Sequence, residues 1–151
     1  MVAIIFIIAW IINKIKTEIE SLDQMSVQWL KARLTGNNEE AGVREGQITA
    51  IGKTIKDMME GINLPALAED EIGKAYDELC RTVGEVNVAV AVRSSGVQED
   101  GAEKSFAGQN STKLNIRGKE EVMISARICF ASQFEDRAIS YRNDARLRMS
   151  K

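Results

Sequence analysis

The chain has 151 residues, 44% hydrophobic and 28% charged, with a net charge of −2. This is one domain's worth or a piece of a larger one, and the near-neutral balance gives no electrostatic case for nucleic acid or an anionic membrane as partner. Histidine is absent, which excludes histidine-dependent acid–base or nucleophilic chemistry within the chain, and the widely spaced Cys80 and Cys129 read as free thiols of a reducing cytosol rather than as zinc ligands.

Met1 to Ile12 is almost entirely apolar. It can be read as a signal peptide or membrane anchor, or as a buried strand from Val2 to Ile8 that leads into a helix. The run falls well short of the ~20 residues that span a bilayer. No basic side chain precedes it, and Asn13-Lys14-Ile15-Lys16 follows where a small-residue cleavage site would stand. The buried strand is therefore favoured, and no membrane association is expected. Ile12, Ile15, Ile19 and Leu22 then recur at helical spacing among charged residues, which predicts an amphipathic helix. Met25 to Leu34 reads as a second, short helix. Gly36-Asn37-Asn38 breaks it and offers an N-cap to the next, whose first turn carries Glu39 and Glu40. Ile48, Ile51, Ile55, Met58 and Met59 continue a core-facing stripe. The methionine pair could form a binding patch, but core is the better reading.

The single proline, Pro65, marks the start of a further helix. Glu69-Asp70-Glu71 in its first turn suits helix capping better than metal binding, and Ile72, Ala75, Tyr76 and Leu79 form the expected buried side. Val88, Val90 and Val92 alternate with Ala89 and Ala91, as in a strand buried on both faces. The strand stops on Arg93-Ser94-Ser95-Gly96, an acidic turn Glu99-Asp100-Gly101 follows, and Ser105-Phe106-Ala107-Gly108-Gln109 allows close backbone approach. An arginine at a strand end beside a small-residue stretch is a plausible phosphate cradle; pairing of Arg93 with Glu99 or Asp100 is the plainer alternative. Ser111 to Ile116 reads as a returning second strand with Leu114 and Ile116 on one face. A helix from Glu120 to Phe134 keeps its period through Val122, Ala126, Cys129, Phe130 and Phe134. The last helix, about Glu135 to Arg148, carries Arg137, Arg142, Arg146 and Arg148. These could bind phosphate, but alternation with Asp136 and Asp144 favours a salt-bridged, partly exposed helix. The pattern is helix-rich with a small sheet, an α/β (α+β) class.

Ala91-Val92-Arg93-Ser94-Ser95, then Glu99-Asp100, then Ser105-Phe106-Ala107-Gly108-Gln109 resembles the signature of the phosphoenolpyruvate synthase family. The resemblance is to the nucleotide-binding domain shared with pyruvate phosphate dikinase and rifampicin phosphotransferase. It continues through Thr112-Lys113-Leu114-Asn115, Cys129-Phe130-Ala131-Ser132-Gln133-Phe134 and Asp136-Arg137-Ala138-Ile139-Ser140-Tyr141-Arg142. Several words in order are far more specific than a lone glycine motif.

The resemblance implies a cytoplasmic, ATP-grasp-like nucleotide-binding domain, with residues 1–151 a single, truncated part of it. By resemblance Arg93 is the ATP-contacting arginine, Gly108 the phosphate-loop glycine and Thr112 the nearby threonine. ATP and Mg²⁺ are the implied cofactors, with the metal ligands outside this chain and no catalytic residue within it. The parent reaction phosphorylates a histidine on a separate domain and then pyruvate; an antibiotic such as rifampicin, or a glucan, is the acceptor in other relatives. The family's glycine-rich opening with its ATP-binding lysine has no counterpart here. The expected partners are therefore the missing half of the domain and a phosphohistidine domain. The alternative is an inactive remnant that binds nucleotide weakly or serves as an interaction module.

Overall fold

The computed structural model of the chain describes residues 2–93 and 111–150. They form a helix-rich α+β fold with one two-stranded antiparallel sheet. In chain order the elements are α1 (Val2–Leu34), α2 (Asn38–Glu60), α3 (Ala66–Val83), β1 (Val90–Arg93), β2 (Thr112–Ile116), α4 (Lys119–Ala131), a 3₁₀ turn (Ser132–Phe134) and α5 (Asp136–Met149). Two compact units divide them: Met1–Met59 with Phe134–Lys151, and Glu60–Gln133.

The first unit is helical. Its α1 corrects two expectations at once. Val2 to Ile8 is helix, not strand, and Met25 to Leu34 continues the same helix instead of forming another. The physical reason is the lack of a stop. No glycine or proline occurs before Gly36, and extending a formed helix is much easier than starting a new element. Period alone cannot separate a short apolar strand from a buried helix segment. Ile15, Leu22 and Trp29 are buried at intervals of seven residues, as are Ala41, Ile48 and Ile55 on α2. Ile12, expected in the stripe, is exposed. Among the described residues, no helix is long and apolar enough to cross a membrane.

The turn between α1 and α2 is capped as the sequence suggests. The Glu40 amide donates to Asn37 Oδ1 at 3.1 Å, and Gly36 takes a positive φ of 74°. Trp29 Nε1 donates to Glu45 Oε1 at 2.8 Å, so the buried indole keeps its hydrogen bond. Thr49 Oγ1 donates to Asp136 Oδ1 at 2.6 Å and joins α2 to α5. Three residues further along α2, the helix closes on the turn before α5. A Cβ built on Gly52 would lie 2.8 Å from the Phe134 carbonyl oxygen and 2.5 Å from Ile139 Cδ1.

The second unit packs α4 across β1 and β2, with α3 also against α4. The sheet differs from the expected doubly buried strand. Val90 and Val92 are half-buried while Ala91 and Arg93 are exposed, because helix covers one face only. The register pairs Val90 with Ile116, Val92 with Lys113 and Arg93 with Thr112. One extra residue on β2 makes a bulge, and Asn115 there has φ of 57°. The bulge breaks the two-residue period, so Leu114 is exposed and Ile116 half-buried instead of the two sharing a face.

Pro65 stands at the N-cap of α3, and Gly84, at φ of 75°, ends it. Tyr76 is the buried anchor of α3; Ala75 and Leu79, expected beside it, are exposed. On α4 the expected Val122 and Cys129 are buried, but Phe130 is 55% exposed.

Gly52 and Gly46 both lie inside α2, where alanine ordinarily favours a helix by about 1 kcal/mol over glycine. Gly46→Ala has nothing within 4 Å of the new methyl and should stabilise the chain by roughly 0.5–1 kcal/mol. Gly52→Ala meets a backbone oxygen that cannot swing aside and should destabilise by about 1–3 kcal/mol. Urea denaturation of the two variants reads these opposite signs.

Candidate functional site

Tyr76 sets the frame of the hairpin. Its hydroxyl donates to the Val88 carbonyl at 2.9 Å and accepts from the Gly118 amide at 2.8 Å. One side chain on α3 thus holds the residues entering β1 and those leaving β2. Gly118 has φ of 91°, a glycine-favouring conformation, and caps the start of α4. Lys119 pairs with Asp77, and Arg117 pairs with Glu85 at 2.9 Å while also donating to the Asn87 carbonyl at 3.1 Å. Those pairs are exposed and add little by themselves.

The other end of the hairpin is held from the end of α4. Cys129 Sγ donates to the Val92 carbonyl at 3.3 Å. Ser132 is fully buried; its hydroxyl donates to the Cys129 carbonyl at 2.6 Å and accepts from the Ser111 amide at 3.0 Å. The strand residues on either side of 94–110 are therefore both tied to one helix end. Burial pushes the Cys129 thiol up from its ordinary value, partly offset by the Lys113 amide and the Lys113 charge. The neutral thiol serves as a donor in packing, not as a nucleophile.

Of the three residues singled out in the sequence, two are brought together. Arg93, the last residue of β1, and Thr112, the first of β2, face each other across the hairpin. Both are exposed, on the side away from α4, where directly opposed Cβ atoms stand about 5 Å apart. Gly108 lies outside the described residues, as do Ser94, Ser95, Glu99 and Asp100. A guanidinium beside a hydroxyl on an open face is donor-rich and fits phosphate oxygens, with the arginine able to grip two at once. Among the described residues no group of acids or cysteines is arranged to hold a metal ion.

Sequence reasoning missed Ser132 and the Tyr76 hydroxyl. The signal for Tyr76 was available, since a buried phenol needs a partner, but nothing in the sequence says which. It also missed Arg127, whose Nη1 donates to the Ile62 carbonyl at 3.2 Å and to Asn63 Oδ1 at 2.9 Å, tying α4 to the segment before Pro65. The arginines of α5 depart from the expected pattern in part. Arg142 is half-buried, and burial followed by the neighbouring Arg146 lowers its pKa, offset by Asp23 on α1.

Arg93 and Thr112 thus stand opposite each other at the strand ends, with the strands tied to one helix end. The chain belongs to the family described as pyruvate phosphate dikinase, AMP/ATP-binding domain, which matches residues 11–151. Among individual relatives, the probable phosphoenolpyruvate synthase of Methanothermobacter thermautotrophicus is 43% identical over 98 residues, 65% of this chain and 14% of that protein. The phosphoenolpyruvate synthase of Deinococcus radiodurans is 50% identical over 95 residues, 63% of this chain and 12% of that protein. The probable phosphoenolpyruvate synthase of Pyrococcus abyssi is 35% identical over 115 residues, 76% of this chain and 14% of that protein. The chain thus spans 14% or less of the length of these relatives.

Two measurements test the clamps. Tyr76→Phe leaves the Gly118 amide and the Val88 carbonyl without the hydroxyl and should cost about 1–3 kcal/mol in denaturant unfolding. A thiol reagent should modify the half-buried Cys80 first and reach Cys129 only on unfolding. Because folding raises the Cys129 pKa, its contribution is complete below the unfolded thiol value of about 8.5 and is lost as pH rises further. Wild type should therefore lose more stability from pH 7 to 10 than Cys129→Ser, compared by chemical denaturation.

Proposed function

We propose that the chain is the part of an ATP-dependent, phosphoenolpyruvate synthase-like phosphotransferase that grips the phosphate chain of ATP. The observation that carries this is the Arg93–Thr112 pair in a chain that belongs to an AMP/ATP-binding family. In this reading Arg93 holds phosphate oxygens, Thr112 gives a hydroxyl to the same group, and Gly108 lets the backbone of its segment approach closely. The family match runs through residues of both compact units, which supports treating 1–151 as part of one ATP-grasp-like domain.

When bound with ATP, Mg²⁺ supplies charge neutralisation for phosphoryl transfer. Its ligands are proposed to lie outside this chain. What the chain itself contributes is grip and orientation: a permanently charged guanidinium at a strand end, fixed by the hairpin register. The phosphoryl acceptor in the first step is proposed to be a histidine elsewhere, since this chain has none. Pyruvate is favoured over rifampicin as the final acceptor because the three relatives described above are phosphoenolpyruvate synthases by name. By itself the 151-residue chain is proposed to bind nucleotide weakly and not to complete the transfer.

Calorimetry of the purified chain with Mg²⁺-ATP tests the reading. Binding should weaken by about tenfold or more in Arg93→Ala, the loss expected for a charge-assisted phosphate contact. Unchanged affinity in a folded Arg93→Ala variant would overturn the assignment of Arg93. Absence of binding to a folded wild-type chain would favour the remnant reading.

A further inference from the structure

The helical unit holds a groove that the nucleotide reading does not use. Glu45 and Thr49 face it from α2, and Asp136, Ser140, Asn143 and Asp144 face it from α5. Their spacing, four apart on α2 and at 0, 4, 7 and 8 on α5, puts each set on one helix face. The groove has a volume of about 320 Å³.

Three features of its chemistry point the same way. The charged lining residues are three carboxylates, with no basic side chain among them. Glu45 and Asp136 accept from neutral donors, Trp29 Nε1 and Thr49 Oγ1, and among the described residues none of the three acids has an ion pair. Asn143 is 94% buried, by its 6% exposure, yet its carboxamide makes no hydrogen bond among the described residues. Its polar atoms are not sealed away from solvent but open onto the groove, where a ligand can meet them.

We propose that this groove binds an organic cation, a primary ammonium group carried on an alkyl chain. The three hydrogens of an ammonium match a carboxylate, the Asn143 carboxamide oxygen and the Ser140 hydroxyl. The acids are not gathered closely enough for a metal ion, which fits an elongated cation with separated donors better than a point charge. The ammonium can belong to a free polyamine or to a lysine side chain of another polypeptide; the chemistry presented to the groove is the same.

The test is calorimetry of the purified chain with spermidine and, separately, with Nα-acetyl-lysine amide. Saturable binding of spermidine alone assigns a free amine, and binding of the lysine amide assigns a protein side chain. Asn143→Leu replaces the amide with an apolar group of similar size and should abolish binding with the fold intact, as checked by circular dichroism. Asp144→Asn and Ser140→Ala are exposed changes that carry the test if Asn143→Leu does not fold, each weakening binding by about fivefold or more. Glu71→Gln, on α3, should leave it unchanged. The proposal fails if neither amine binds, or if the groove variants bind as wild type does.

Discussion

The hydroxyl of Tyr76 is both donor and acceptor, and both capacities are used on backbone groups 30 residues apart, Val88 and Gly118. A two-stranded hairpin is marginal by itself in water. This one persists because its open end is fixed by a phenol inside α3 and its loop end by Cys129 and Ser132 at the end of α4. The Arg93–Thr112 pair depends on both clamps. Loosening either would let the strands slip, and a one-residue slip sends a side chain to the opposite face.

In the helical unit the governing constraint is steric. Gly52 is where α2 meets a backbone carbonyl, and the absence of a side chain sets how near the helix comes to the turn before α5. The same approach puts Thr49 within reach of Asp136, and with it the polar lining of the groove. Heptad-spaced burial of Ile15, Leu22 and Trp29, and of Ala41, Ile48 and Ile55, gives the seam its direction. Close packing at one glycine gives it its depth.

Much of this was legible beforehand. The stripes of α2 and α4, the Asn37 cap, the Pro65 boundary and the antiparallel return of β2 follow from period and turn chemistry, and the structure shows them. The errors share a cause. Val2 to Ile8 was misjudged because an apolar run carries no period, so only its continuity with α1 decides its state. The face of Leu114 was misjudged because a bulge is invisible to a two-residue count. Phe130 and Leu79 keep helical spacing but lie at the edge of their stripes, where spacing no longer implies cover. The site was legible as a motif, and Arg93 and Thr112 were chosen from it. That they oppose each other was not, since the register is set by Tyr76, Cys129 and Ser132, residues from 17 to 39 positions away from Arg93.

The bulge at Asn115 gives the hairpin a parity. Between its two inward positions, Lys113 and Ile116, β2 takes three steps where β1 takes two, and the left-handed residue absorbs the difference. Removing one residue from 113–115 would reverse the orientation of everything from there back to Ser111, including Thr112. Removing one from 94–110 would leave the orientation of both strands as it is, because each is anchored to α4 on its own. Over evolutionary time, single-residue length changes are therefore barred within β2, whatever happens to its side chains.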